Sequence, residues 1–173
     1  LSGRFDAIHS QMGQHYLTLE LLSESLLKAY ASEMARTLSR QESTPLLIGL
    51  EGELGSGKTT WVRAMLEGVG FEGRVPSPTY TLVEPYRSGE LAIVHLDLYR
   101  LASCEDLEDL DIRGWFSQGR TWLLIEWPGR APKLKMRCDV LIRLEFIKSL
   151  GRSASLIGQT RRGRAIIKAL SRS

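Results

Sequence analysis

A glycine-rich motif at residues 52–59 constrains the fold of this chain more than any other feature. Its sequence, Gly-Glu-Leu-Gly-Ser-Gly-Lys-Thr, matches the G-x-x-x-x-G-K-[ST] pattern of a phosphate-binding loop at every fixed position. The short apolar run 45–51 before it is typical of a buried parallel strand, and the run 58–67 after it predicts a helix that Gly68 and Gly70 end. Strand, loop and helix together are the context that a P-loop nucleoside triphosphatase requires.

The fixed residues of the loop have distinct predicted tasks. Gly52, Gly55 and Gly57 allow the backbone to curl so that its N–H groups converge on the phosphates. The helix that begins near Lys58 directs its positive dipole end to the same place. The ammonium group of Lys58 is expected to reach the β and γ phosphates, and the hydroxyl of Thr59 to bind Mg²⁺. A chance match in a glycine-rich turn is the alternative, which the flanking elements disfavour.

The length of 173 residues and the absence of a repeat or long linker predict one domain. We assign residues 1–16 to a weakly ordered extension and residues 17–173 to a single P-loop domain. No stretch approaches the roughly 20 apolar residues that span a bilayer, and no signal-peptide core is visible. Cys104 and Cys138 lack a metal-ligand spacing, so we interpret both as packing residues in a reducing, cytoplasmic protein that does not contact a membrane.

The charge of the chain is unevenly distributed along the sequence. Residues 1–129 carry 11 Lys and Arg against 18 Asp and Glu, whereas residues 130–173 carry 12 against 2. A basic end of this kind can attract RNA or an acidic protein surface. A solvated helix and strand edge rich in arginine explains it equally well.

The remaining elements follow from periodicity and turn residues. Apolar spacing predicts a strand at 18–22 and, after Ser23 as N-cap, a helix at 24–39. Runs 79–87 and 91–97 flank Ser88-Gly89 and predict a hairpin. The later predictions are an acidic helix at 104–116, strands at 121–127, 139–147 and 153–159, and a basic helix at 161–170. The sum is an α/β fold, a P-loop NTPase-like three-layer sandwich with a mixed, partly parallel sheet.

Two apolar runs end in carboxylates that can complete a nucleotide site. Asp97 ends the run 91–96 and Glu126 ends the run 122–125, a Walker B pattern that suits Mg²⁺ binding or water positioning. Each could instead be a strand-end acid that meets solvent. Thr79, in the Ser-Pro-Thr segment 77–79, could sense the γ phosphate, although such segments also occur in plain turns. His95 shares a strand face with Asp97 and could either orient the site or be a satisfied core histidine, the slightly favoured interpretation.

Four segments together resemble one family. They are GELGSGKTT at 52–60, SPTYTLVEPY at 77–86, HLDLYRL at 95–101 and IEWPGR at 125–130. Their order and spacing are similar to those of the bacterial tRNA threonylcarbamoyladenosine biosynthesis ATPase, the TsaE family, from about residue 18 to 170. The resemblance implies an ATPase that uses ATP and Mg²⁺ and docks on a threonylcarbamoyl-transferase complex of two other proteins, of the TsaB and TsaD families. That complex modifies the adenosine beside the anticodon, so contact with tRNA is expected to be indirect.

The resemblance also implies roles for residues that match the family motifs. Glu126, Lys58 and Thr79 are the implied catalytic residues, and Thr59, Asp97 and Glu126 the implied Mg²⁺ ligands. Trp127 is the implied tryptophan near the nucleotide, while Tyr99 and Arg100 match the motif without an assigned role. The implied nucleotide-binding residues are Gly52, Glu53, Leu54, Gly55, Ser56, Gly57, Lys58, Thr59, Thr60 and Trp127.

Two other functions remain open from the residues themselves. A small-molecule kinase on a P-loop scaffold has the same loop, and the basic segment 130–143 could imitate an arginine-bearing lid, although it leads into a strand. A nucleotide-dependent RNA-binding module could use the basic C-terminal end. Under the ATPase hypothesis we expect slow intrinsic turnover, because no arginine of this chain obviously serves the γ phosphate.

Overall fold

The computed structural model describes residues 5–11, 14–41, 45–101, 112–117, 119–147 and 151–172. The described strands are β1 Phe5–Gln11, β2 Gln14–Leu21, β3 Leu46–Gly52, β4 Val83–Ser88, β5 Leu91–Asp97, β6 Thr121–Glu126, β7 Val140–Phe146 and β8 Arg152–Gly158. The described α-helices are α1 Glu24–Gln41, α2 Lys58–Gly68, α3 Ile112–Ser117, α4 Pro132–Lys135 and α5 Arg161–Leu170, and a 3₁₀ turn spans Pro128–Arg130.

All eight described strands form one mixed sheet in the order β1-β2-β8-β7-β3-β6-β5-β4. Its centre is parallel, since β3 pairs with both β6 and β7, and β6 pairs with β5. The outer strands β4, β8, β2 and β1 each pair antiparallel with their inner neighbours. The prediction of a mixed, partly parallel sheet is therefore confirmed.

Two hydrophobic clusters cover the two faces of the sheet. The larger cluster joins one face to apolar side chains of α1, α2 and α5. The smaller cluster joins the other face to the segment around α4, with Trp115 of α3 packed against it. Strands β5 and β6 are buried at every position, which explains why their sequences read as continuous apolar runs. The arrangement is a three-layer sandwich, as predicted.

Helix α1 lies directly beside the helix that follows the glycine loop. It begins after Ser23, whose Oγ accepts a hydrogen bond from the N–H of Leu26 at 3.1 Å, as an N-cap does. The approach of α1 to α2 is close at Gly68, where an added Cβ would lie 2.8 Å from the Cα of Ser32. Among the described residues, no helix is long and apolar enough to cross a membrane.

The C-terminal helix is tied to the parallel core through one buried carboxylate. Asp139 accepts the N–H of Leu47 at 3.2 Å and the hydroxyl of Thr160 at 2.6 Å. Thr160 is also the N-cap of α5, since its Oγ1 accepts the N–H of Gly163 at 3.0 Å. Beside it, burial raises the pKa of the free Cys138 thiol to about 12, in keeping with a packing residue. Cys104 lies outside the described residues.

Several local differences from the predicted elements have physical explanations. The sequence pattern predicts no element in residues 1–16, but the structure has strand β1 at 5–11. This strand forms because its pairing with β2 provides the backbone hydrogen bonds. The hairpin begins at Val83 instead of residue 79, since Leu82 adopts φ 62° and its N–H closes a turn onto the Pro78 carbonyl at 2.7 Å. Strand β6 ends at Glu126, because Trp127 has a left-handed φ of 57°.

Two further differences concern helices. The 3₁₀ turn and α4 are absent from the predicted elements. They have three and four residues and begin at Pro128 and Pro132, so they are too short for a helical periodicity to be detected. Of the acidic helix predicted at 104–116, residues 104–111 lie outside the described residues. The structure has a helix at Ile112–Ser117.

The close contact at Gly68 predicts that Gly68→Ala destabilises the fold. Alanine favours a helix by about 0.5–1 kcal/mol, but its Cβ must separate α1 from α2, which costs about 1–3 kcal/mol. We expect a net loss of about 1–2 kcal/mol in the free energy of unfolding, measured by urea titration. Glu67→Ala at the exposed neighbouring position is the control and should change it by less than about 0.5 kcal/mol. A Gly68→Ala variant as stable as wild type would contradict the contact.

Candidate nucleotide-binding site

The glycine loop has a backbone shape that glycine permits. Gly52, Gly55 and Gly57 have φ values of 143°, 77° and 108°, all in the region that side chains disfavour. A Cβ on Gly52 would lie 2.6 Å from the Oγ of Ser56 and would also collide with the carbonyl oxygen of Leu144. Ser56 donates its N–H to the Glu53 carbonyl at 3.1 Å, which closes the turn. The loop is thus a cradle that only small residues can form.

Lys58 crosses the inside of this loop. Its ammonium group donates to the carbonyl oxygens of Gly52 at 2.8 Å and Glu53 at 2.9 Å. It also lies 3.9 Å from the centroid of the Trp127 ring, a cation–π distance. Burial lowers the pKa of Lys58, while the carboxylates of Glu126 and Asp97 act in the opposite direction. The side chain is held within the site and does not extend into solvent.

The two predicted carboxylates meet beside the loop. Asp97 and Glu126 are register partners at the carboxyl ends of β5 and β6, with only 3% and 2% of their surface exposed. Thr59 donates its hydroxyl to the Oε1 of Glu126 at 2.8 Å. Thr79 donates to the Oδ2 of Asp97 at 2.9 Å, although it lies in a turn outside the sheet. The structure therefore places the four residues as two hydrogen-bonded pairs at adjacent strand ends.

His95 extends the Thr59–Glu126 pair into the core. It is fully buried on β5, and its Nε2 lies 2.8 Å from the same Oε1 of Glu126. If Glu126 is ionised, the ring must donate from Nε2. Its Nδ1 is buried with no hydrogen-bond partner among the described residues. The slightly favoured interpretation as an ordinary core histidine is incomplete, because the ring orients a site carboxylate.

Aromatic side chains line the mouth of the site. A cleft of about 600 Å³ is bordered by Glu51, Gly52, Glu53, Leu54, Trp127, Gly129 and Arg130. The Tyr99 ring lies 5.0 Å from that of Trp127, and the Arg130 guanidinium lies 6.0 Å from Tyr99. Trp127 is fixed by the N–H that it donates to the Leu50 carbonyl at 3.1 Å. The volume falls in the range of about 300–1,000 Å³ that small-molecule sites occupy.

The other predicted residues are placed less directly. Leu54 is 75% exposed at the tip of the loop, and Thr60 lies in the first turn of α2. The Arg100 guanidinium stacks on the exposed ring of Tyr80, 4.4 Å from its centroid. In the basic segment 130–143, Lys135 and Arg143 pair with Glu51.

One residue at the loop was missed by sequence reasoning. Arg152, at the start of β8, donates to the carbonyl oxygen of Ser56 at 3.0 Å and, more weakly, to that of Gly55 at 3.4 Å. It lies 96 positions from Ser56 and belongs to no motif. Only the pairing of β8 with β7 brings it to this edge of the sheet.

The residues present fit a magnesium nucleotide. A loop that admits no Cβ at Gly52, a buried ammonium and a helix N-terminus suit a phosphate chain. The oxygen atoms of Thr59, Asp97 and Glu126 are the hard donors that Mg²⁺ prefers. No cluster of three His, Cys, Asp or Glu occurs within the described residues, so the hydroxyl and the phosphates would have to supply the other ligands.

Comparison with known proteins agrees with these observations. The family model for threonylcarbamoyl adenosine biosynthesis protein TsaE matches residues 22–154. A tRNA threonylcarbamoyladenosine biosynthesis protein TsaE from Haemophilus influenzae is 43% identical over 126 residues, which cover 73% of this chain and 78% of that protein. Another protein of the same name from Aquifex aeolicus is 32% identical over 137 residues, which cover 75% and 91%.

A solved structure supports the fold. The crystal structure of Bacillus subtilis YdiB superposes with a TM-score of 0.74, at 24% identity, and the match covers 94% of this chain and 98% of that one. At this identity the likeness shows the fold alone. The family match spans the loop, both carboxylates and Trp127, which the structure assembles into one site. The chain therefore belongs to the TsaE family of threonylcarbamoyl adenosine biosynthesis proteins.

Proposed function

We propose that this chain is a magnesium-dependent ATPase that supports tRNA threonylcarbamoyladenosine biosynthesis by acting on a partner threonylcarbamoyl-transferase complex. The observation that carries the proposal is the hydrogen-bonded group of Thr59, Glu126 and His95, in which the acid and the imidazole are buried and Thr59 belongs to the glycine loop. Such a group is expected where a hydroxyl and an acid share one metal ion. Membership of the TsaE family supports the process, and the partner pair of the TsaB and TsaD families is part of the proposal.

In the proposed function, the glycine loop and Lys58 bind the phosphates. In the structure the ammonium bonds two loop carbonyls, so it lies within the cradle before any phosphate arrives. The cation–π contact with Trp127 limits where its tip can move. Its partial burial weakens competition from water and strengthens the attraction to a triphosphate.

Asp97 and Glu126 have different roles in the proposed reaction. Bound MgATP supplies the electrophilic phosphorus and a cation that neutralises phosphate charge. Glu126 accepts two hydrogen bonds at Oε1, from Thr59 and His95, and its Oε2 accepts none among the described residues. This oxygen is the one that could orient a water molecule. Asp97 has both oxygens engaged, by the Thr79 hydroxyl and the N–H of Tyr99.

Two arginines at the rim of the loop have other tasks. Arg152 holds loop carbonyls, and Arg130 lies against Tyr99. Neither contact directs a guanidinium toward Lys58 or Thr59. A charge supplied by a partner would then complete the site, as arginine fingers do in other P-loop enzymes.

The proposal is tested by measuring ATP hydrolysis by the purified chain, alone and with the two partner proteins. We expect slow turnover alone, and stimulation by the pair of at least about tenfold, below the 10³–10⁵ that a complete arginine finger supplies. Full-speed hydrolysis that ignores the pair would contradict coupling. Phosphate transfer to a small acceptor would support the kinase alternative instead.

Lys58→Ala should abolish tight nucleotide binding without unfolding the chain. The substitution removes hydrogen bonds from a charged donor, each contributing about 1.5–3 kcal/mol, so we expect MgATP affinity to fall about 100-fold by calorimetry. A cooperative melt by circular dichroism should persist, because the ammonium faces the loop and not the core clusters. Lys133→Ala, at an exposed lysine of α4, is the control. Global unfolding of Lys58→Ala would refute the placement.

Glu126→Gln should separate binding from hydrolysis. The amide keeps the volume of the carboxylate but cannot take up a proton or carry its charge, so turnover should fall at least about 100-fold. The affinity for ATP should stay within about tenfold, since Lys58 and its bonds to the loop carbonyls are unchanged. Glu84→Gln is the control. Glu84 lies on β4, which pairs with β5, and its carboxylate accepts a hydrogen bond from Thr81. Unchanged hydrolysis in Glu126→Gln would remove Glu126 from the mechanism.

A further inference from the structure

Arg152 reaches the phosphate-binding loop because of the sheet topology. It is the first residue of β8 and pairs with Phe146, the last residue of β7. Strand β7 runs parallel to β3, and Leu144 lies opposite Gly52, where the loop begins. The antiparallel return from β7 to β8 therefore delivers the Arg152 side chain to the edge of the sheet that carries the loop.

Its guanidinium is engaged on the outer side of that loop. The Nε donates to the Ser56 carbonyl at 3.0 Å and the Nη2 approaches the Gly55 carbonyl at 3.4 Å. The same group lies 5.0 Å from the centroid of the Phe146 ring, a stacking and cation–π distance. An added Cβ on Gly57 would lie 3.8 Å from the Cδ and Nε of Arg152, so the side chain follows the loop backbone closely.

These bonds have a consequence for the opposite side of the loop. In a trans peptide unit the C=O and the next N–H point in opposite directions, and the described residues contain no cis bond. Carbonyls of Gly55 and Ser56 that are held toward Arg152 direct the N–H groups of Ser56 and Gly57 away from it. The Ser56 N–H closes the turn onto the Glu53 carbonyl at 3.1 Å, so the Gly57 N–H is the one of the two that this geometry offers to a ligand. The glycines on either side of Ser56 leave the backbone many alternatives, which an external restraint must remove.

We propose that Arg152 is a positioning residue for the phosphate-binding loop, which fixes two loop carbonyls so that the amide groups are set for a triphosphate. The proposal rests on the proposed function for its ligand, but the restraint on the loop belongs to the chain alone. Arg152 acts through the backbone and needs no contact with a phosphate. Its effect should therefore be equal for nucleotides with two and with three phosphates.

Amide hydrogen exchange and nucleotide affinity test the proposal on the full chain. The first measurement follows the amides at 55–57 by NMR in Arg152→Gln without nucleotide. Their hydrogen exchange should become about tenfold faster, because the loop loses a hydrogen bond from a charged donor. The affinities for ADP and for ATP should both fall about tenfold by calorimetry. Arg143→Gln is the matched control, because it removes one positive charge from the same edge of the sheet. The wild-type Arg143 side chain bonds Glu51 at 3.4 Å.

The alternatives give different results. Loss of ATP affinity with unchanged ADP affinity and unchanged exchange would overturn positioning in favour of a direct γ-phosphate contact. Unchanged exchange and unchanged affinities would overturn it as well. If the wild-type chain binds neither nucleotide, the proposed function fails, while the exchange comparison still decides the role of Arg152.

A second variant and a reference amide distinguish a local effect on the loop from misfolding of the chain. Arg152→Lys keeps the charge but has a single ammonium in place of a planar fork, so it should give exchange between wild type and Arg152→Gln. The amide of Ile48 in the central strand β3 is the reference. Faster exchange confined to the loop supports the proposal, and equal acceleration at Ile48 and the loop would overturn it.

Discussion

The parallel pairing of β3 with β6 and β7 is the constraint on which the rest of the structure depends. It places the glycine loop, which follows β3, beside the carboxyl end of β6. The register of β6 with β5 then places Glu126 next to Asp97. The same pairing puts Leu144 of β7 opposite Gly52. The loop, the two acids and Arg152 are far apart in sequence. They meet at one edge because the four strands β5, β6, β3 and β7 run in the same direction.

Within that frame, burial determines the chemistry of the site. Glu126 is 2% exposed, and its Oε1 is satisfied by a hydroxyl and an imidazole. A buried carboxylate without such donors would be costly to ionise. The partners of Oε1 thus satisfy this buried oxygen and fix the direction of the other one. His95 contributes through geometry, from a position where solvent cannot compete.

The sequence was informative where a local rule sufficed. The glycine pattern, the apolar runs that end in Asp97 and Glu126, and the N-cap at Ser23 each depend on neighbouring residues, and the structure has them as predicted. The turn at 79–82 and the left-handed Trp127 could not be predicted, because tertiary hydrogen bonds to Asp97 and Leu50 select them. Arg152 was missed for the same reason, since strand register and not a motif places it.

The contacts of Lys58 carry one more consequence. Its ammonium is already bonded to two loop carbonyls, so an arriving phosphate exchanges partners with the loop and does not meet a bare charge. The free energy gained on binding is then a difference between two sets of hydrogen bonds, which is smaller than either set alone. A cradle of this kind favours repeated exchange of ligand over permanent retention.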